Sequence, residues 1–184
     1  MTNILSQAAT IPNMITLVRI ILIPVFVAAV VHGHYGYALF FFVTAALSDM
    51  LDGMVARRTN QKTRLGAFLD AFADKALLIT SFIICSVYGW ISQWLTVCVL
   101  GRDLVITLGW VLLTLMSRHT KVGTIMSGKI AIASQLVLIS YVMLALNVAE
   151  LPDRPPDFAE WIVAALTVFS GIQYVYRGVI RDGD

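Results

Sequence analysis

Charged side chains are scarce in this chain. Asp, Glu, Lys and Arg make up 13% of its 184 residues, against about a quarter in soluble domains. That scarcity excludes an ordinary solvated surface. With 59% hydrophobic residues and a mean hydropathy of +0.83, the chain reads as an integral membrane protein, expected to form a single all-α membrane domain over residues 1–184. Cysteine is nearly missing. Cys85 and Cys98 lie in apolar runs with no metal-ligand or redox spacing between them, so they are expected to be small buried hydrophobes. The net charge is only +2, which gives no argument for nucleic acid. A basic segment at the N-terminus is also missing, and Arg19 interrupts the first apolar run. A cleaved signal peptide is therefore not expected, and that run reads as a retained span. Neither a soluble domain nor a clear internal repeat is visible.

Six apolar stretches of spanning length are present, near 14–31, 37–57, 66–87, 92–116, 125–148 and 159–178. The segments between them carry turn and loop chemistry. One is His32-Gly-His-Tyr-Gly36, and another, near 152–157, holds the consecutive prolines Pro155 and Pro156, which cannot be helix interior. Pro24 falls inside the first stretch and is expected to kink it. Lys and Arg are distributed unevenly. Arg57, Arg58, Lys62 and Arg64 follow the second stretch, Arg118 and Lys121 the fourth, and Arg177 and Arg181 the sixth, while the other loops contribute only Arg154. By the positive-inside rule, both termini and the even loops are expected in the cytoplasm. Trp90, Trp94 and Trp161 fall at stretch ends and read as interfacial anchors. Phe40-Phe41-Phe42 reads as lipid-facing or packing, and His32 and His34 as solvated loop residues.

Against this apolar background, four aspartates stand out. They follow the pattern Asp49-x-x-Asp52-Gly53-x-x-Ala56-Arg57, then Gly66-x-x-x-Asp70-x-x-x-Asp74. One charged side chain at the centre of a membrane helix costs at least ~2.5–3.5 kcal/mol, and four of one sign also repel one another. Divalent cations are the evident compensation, and metal with phosphate the evident chemistry. On helices, Asp49 and Asp52 at i and i+3 share a side, as do Asp70 and Asp74 at i and i+4. The basic segment between them makes the two helices neighbours, so the four carboxylates are expected to converge near the cytoplasmic surface. Gly53, Ala56 and Gly66 remove bulk there, and Arg57 can fork onto phosphate oxygens. A proton or ion pathway is the alternative use of intramembrane acids, and a structural ion-pair network is another. Lys75, Arg57 and Arg58 are too few to neutralise all four acids.

The string from Asp49 to Asp74 resembles the full signature of the CDP-alcohol phosphotransferases, with all eight fixed positions at the right separations. Ile11-Pro-Asn-Met-Ile-Thr-Leu-Val-Arg19 is similar to the family's start of span one, and Ser170-Gly-Ile-Gln-Tyr174 to the end of its last span. The resemblance implies a six-transmembrane-helix bundle. It implies transfer of a phosphatidyl group from CDP-diacylglycerol to an alcohol, with release of CMP. It also implies two divalent ions, Mg²⁺ or Mn²⁺, with Asp49, Asp52, Asp70 and Asp74 as ligands. Asp74 would also be the general base. Asp49, Asp52, Gly53, Ala56, Arg57, Gly66 and Asp70 would bind the CDP group. A homodimer, placement in a bacterial inner membrane and a cytoplasmic active site belong to the same expectation.

Arg102 and Asp103, inside the fourth stretch, resemble the branch that makes phosphatidylglycerol phosphate or cardiolipin. Arg102 is expected to face the acceptor phosphate, with Lys129 as a second contact; a mutually satisfied intramembrane pair is the structural alternative. Two departures from the phosphatidylglycerol-phosphate pattern are present. Trp110 stands where a second arginine is common, and Ser127-Gly128-Lys129-Ile-Ala131-Ile132 keeps one lysine but loses a second lysine and a threonine. Glycerol 3-phosphate is the expected acceptor and phosphatidylglycerol the alternative. Two rival classes remain. An intramembrane prenyltransferase would release inorganic diphosphate. A transporter would have polar groups spread across the bilayer depth, whereas all four motif acids gather toward one leaflet.

Overall fold

The computed structural model describes residues 11–59, 64–115 and 126–180, with side chains described outside 11–15, 49–59, 64–71, 74, 110–115 and 178–180. The described residues form six α-helices: α1 (Ile11–Val31), α2 (Tyr35–Thr59), α3 (Arg64–Val87), α4 (Gln93–Leu115), α5 (Met126–Ala145) and α6 (Asp157–Ile180). Each overlaps one of the six apolar stretches. Helix α1 runs through Pro24 without interruption. Helix α5 stops at Ala145, short of the apolar run, for a local reason. The backbone tightens to i−3 bonds from Asn147 N to Leu144 O and from Val148 N to Ala145 O, and Asn147 Nδ2 donates to Met143 O at 2.7 Å, satisfying carbonyls that the helix leaves open. Among the described residues, Met126–Ala145 and Asp157–Arg177 are long and apolar enough to cross a membrane.

The chain divides into two compact units. The first comprises Met1–Ile84 with Met143–Leu151, and its centre is the packed pair α1 and α2. Ala38, Phe42 and Ala45 are all buried; their i, i+4, i+7 spacing makes one stripe of α2, and the alanines allow close helix approach. The Phe42 ring packs against Phe26 of α1 with centroids 5.8 Å apart. The turn between the two helices is a Schellman motif. His34 N bonds Ala29 O at 2.9 Å and Gly33 N bonds Val30 O at 3.0 Å, with Gly33 at φ 73°, where a residue without Cβ is favoured.

The second unit comprises Cys85–Val142 with Pro152–Asp184. The same motif ends α3, with Trp90 N on Cys85 O at 2.9 Å, Gly89 N on Ser86 O at 3.1 Å and Gly89 at φ 76°. Helices α4 and α6 pack together and run in the same direction. Ser92, just before α4, bonds Glu160, and ten residues further along both helices Arg102 bonds Ser170. Helix α5 runs the opposite way: Gly128 lies against Tyr174, and seven residues up α5 Gln135 meets Thr167, seven residues down α6. The inner stripe of α6 is polar as well as apolar, with Glu160, Val163, Ala164, Thr167 and Ser170 buried while Trp161, Ile162, Phe169, Ile172 and Tyr176 are exposed. Polar groups inside and large apolar groups outside is the distribution a lipid surrounding favours.

Candidate functional site

Helices α2 and α3 carry the acidic motif. Asp49, Asp52, Gly53, Ala56 and Arg57 occupy the last turns of α2, and Gly66, Asp70 and Asp74 the first turns of α3; the backbone is helical at every one of them. The turn spacings expected from the sequence therefore hold for the main chain. The side chains of these eight residues lie outside the described residues. The donor set itself is four carboxylates, hard oxygen ligands of the kind Mg²⁺ and Mn²⁺ prefer, so the residues fit a divalent-metal site.

The side chains of the residues expected on the acceptor side, Arg102 and Lys129, are described. Arg102 sits on α4 with Asp103 beside it, each side chain only 10% accessible. The Arg102 Nη1 donates to Asp103 Oδ1 at 2.6 Å, a short charge-assisted bond. Its Nε donates to Ser170 Oγ on α6 at 3.1 Å. The Ser170 hydroxyl spends its own proton on Thr167 O at 3.0 Å, which leaves its oxygen as a pure acceptor for Arg102. The ring of Tyr174, one turn further along α6, lies 5.8 Å from the guanidinium carbon, within cation–π reach. Two glycines make room for this arrangement. A Cβ on Gly171 would sit 3.2 Å from Arg102 Cγ, and one on Gly128 would sit 3.0 Å from Tyr174 Cε2 and 3.4 Å from Arg102 Nη2. Among the described residues, Nη2 has no hydrogen-bond partner.

Nearby, the Ser127 hydroxyl donates to Gln173 Oε1, tying the start of α5 to the same end of α6. Lys129 is exposed, and among the described residues no ion pair joins it to Asp103. The Arg102–Asp103 pair, the structural alternative to an acceptor-facing Arg102, is thus formed, but Arg102 is also held by Ser170 and Tyr174, residues given no role from the sequence. The available signal was the placement of Ser170, Gly171 and Tyr174 within one turn of an otherwise apolar helix. Cys85 is buried and Cys98 partly so, and both are free thiols, as expected of small apolar side chains.

Comparison with known proteins gives a consistent result. The family model described as CDP-alcohol phosphatidyltransferase matches residues 9–173. A probable phosphatidylglycerophosphate synthase of Mycobacterium tuberculosis (strain ATCC 25618 / H37Rv) is 33% identical over 96% of this chain and 85% of its own. The CDP-diacylglycerol–glycerol-3-phosphate 3-phosphatidyltransferase of Escherichia coli (strain K12) is 32% identical, covering 90% of this chain and 92% of its own. The protein of that same name from Shigella flexneri serotype 5b is 31% identical over the same shares.

Proposed function

This chain belongs to the CDP-alcohol phosphatidyltransferase family, and from that premise we propose that it transfers the phosphatidyl group of CDP-diacylglycerol to glycerol 3-phosphate, giving phosphatidylglycerol phosphate and CMP. The observation that carries the choice of acceptor is likeness over nine-tenths of the chain or more to enzymes named for that acceptor or for phosphatidylglycerophosphate as product. Arg102 supports it: a largely covered guanidinium with one arm uncommitted among the described residues suits a phosphate oxygen. In this reading an acceptor hydroxyl attacks the phosphorus that bears diacylglycerol, and the bond from that phosphorus to the CMP oxygen breaks. The hydroxyl proton passes to a carboxylate oxygen of Asp74. Arg57 holds diphosphate oxygens, while Gly53, Ala56 and Gly66 leave space for the nucleotide. Arg102 and Lys129 hold the acceptor phosphate. Asp49, Asp52, Asp70 and Asp74 would hold divalent ions, Mg²⁺ or Mn²⁺, which supply neutralisation of charge on the diphosphate.

The same proposal places the enzyme in a bacterial inner membrane, with six spans, both termini and the reaction on the cytoplasmic side, and two copies forming a dimer. The Lys and Arg asymmetry supports the orientation. The parallel course of α4 and α6, with α5 reversed, supports alternating spans.

One assay tests the activity. Purified protein is given labelled CDP-diacylglycerol with Mg²⁺ or Mn²⁺ and, in parallel, glycerol 3-phosphate, phosphatidylglycerol, inositol phosphate or serine. Phosphatidylglycerol phosphate with stoichiometric CMP is expected from the first alone. Product from phosphatidylglycerol alone would instead establish cardiolipin synthesis, a reading favoured by Trp110 in place of a second arginine and by Lys129 without a second lysine after it. Release of inorganic diphosphate would point to prenyl transfer.

A further inference from the structure

We propose that Ser170 and Tyr174 are positioning residues for the acceptor, acting through Arg102 by holding its guanidinium so that Nη2 is presented to the substrate phosphate. The proposal rests on the reading of Arg102 as an acceptor contact. An arginine side chain carries about 2 kcal/mol of rotamer entropy, so an unrestrained one would lose much of its binding contribution on being ordered. Here the order is supplied in advance, by three groups from different directions. Asp103 Oδ1 holds Nη1 at 2.6 Å, Ser170 Oγ holds Nε at 3.1 Å, and the Tyr174 ring lies 5.8 Å from Cζ. Gly171 leaves room for the aliphatic stem, since a Cβ there would come within 3.2 Å of Cγ.

The hydrogen bonding of Ser170 makes its role directional. Its proton is committed to Thr167 O, so the oxygen can only accept, and the partner it accepts from is Arg102 Nε. A salt bridge kept solely for folding would be complete with Asp103. The added grip on Nε, the aromatic ring and the space kept open at Gly128 beside Nη2 all bear on where the remaining arm points. Asp103 also offsets part of the arginine charge, which makes orientation matter more than bulk attraction.

The test is steady-state kinetics on Ser170→Ala, Ser170→Thr, Tyr174→Leu and Tyr174→Phe, each in the wild-type and the Arg102→Gln background. The expected result is a rise of about tenfold in KM for glycerol 3-phosphate in Ser170→Ala, the size of one lost hydrogen bond to a charged group, with kcat and the KM for CDP-diacylglycerol unchanged. Ser170→Thr restores the value, because the hydroxyl returns. Tyr174→Phe keeps the ring and behaves as wild type, while Tyr174→Leu raises the same KM. In the Arg102→Gln background these changes add nothing further. Equal effects in both backgrounds, or a fall in kcat or folded yield with KM unmoved, would overturn the proposal. If the wild-type protein uses glycerol 3-phosphate but Arg102→Gln leaves its KM unaltered, positioning fails while the activity stands. If the wild-type protein uses only phosphatidylglycerol, the acceptor reading fails, and positioning is decided by the same comparison on the KM of that lipid.

Discussion

Glu160, in the first turn of α6, accepts the backbone N–H of Ser92 at 3.1 Å and closes the N-terminus of α4 from a different helix. Glu160 is buried, and Ser92 O in turn accepts from Leu95 N and Thr96 N, so Ser92 stands at the N-cap of α4. The carboxylate thus serves a helix end that carries partial positive charge. Because the contact fixes α4 against α6 ten residues before Arg102 and Ser170 meet, it sets the register in which they meet. Glu160→Ala is expected to lower stability by ~1 kcal/mol or somewhat more, the cost of stranding a part-buried donor. Glu160→Gln keeps an acceptor and is expected to recover most of that loss. Thermal unfolding in detergent, read for both variants, checks the order.

The buried amide of Gln135 gives a second prediction. Its Nε2 donates to Thr167 Oγ1 at 3.0 Å, and both residues are fully buried. Thr167→Val strands the amide and is expected to cost ~1–3 kcal/mol, whereas pairing it with Gln135→Met removes both polar partners and is expected to be nearly neutral. A double-mutant cycle on unfolding stability decides; additive losses would show that the hydrogen bond is not what couples the two sites.

Gly33 and Gly89 separate conformational strain from crowding. Both have positive φ. A Cβ on Gly33 would meet nothing within 4 Å, and one on Gly89 would make only an ordinary 3.4 Å contact with Arg154 Nη2. Alanine at either site is therefore expected to cost ~1–2 kcal/mol from the left-handed backbone alone. Asparagine, which tolerates that region, is expected to cost less than alanine at both. Chemical or thermal unfolding of the four variants provides the comparison.

The acidic motif predicts two separable losses. Chelation of divalent ions is expected to abolish transfer, with recovery on adding Mg²⁺ or Mn²⁺. Asp74→Asn is expected to abolish transfer while CDP-diacylglycerol binding stays measurable, since the amide cannot take the acceptor proton. Equal loss of binding and turnover in that variant would refute the general-base role and leave Asp74 as a ligand alone.

Much of the architecture is legible in the sequence. Long apolar runs punctuated by Gly33, Gly89 and Pro155-Pro156 encode helices and their ends through local chemistry, and the helices follow them to within a few residues. The motif from Asp49 to Asp74 was equally legible, because its spacing lies within two consecutive helices. The phenylalanine run was not resolved by pattern alone: Phe42 is fully buried while Phe40 is 62% exposed, a difference set by which side of α2 meets Phe26 of α1.

By itself, the sequence determined a helical enzyme of the CDP-alcohol phosphatidyltransferase family with long apolar runs, because helix periodicity, turn residues and motif spacing are short-range properties of a chain. Only the tertiary structure decided what surrounds Arg102. Its contact with Ser170 and the contact of Ser92 with Glu160 each join residues 68 positions apart, and no local pattern selects such partners. They follow from the common direction of α4 and α6 and from the glycines that let the packed side chains meet.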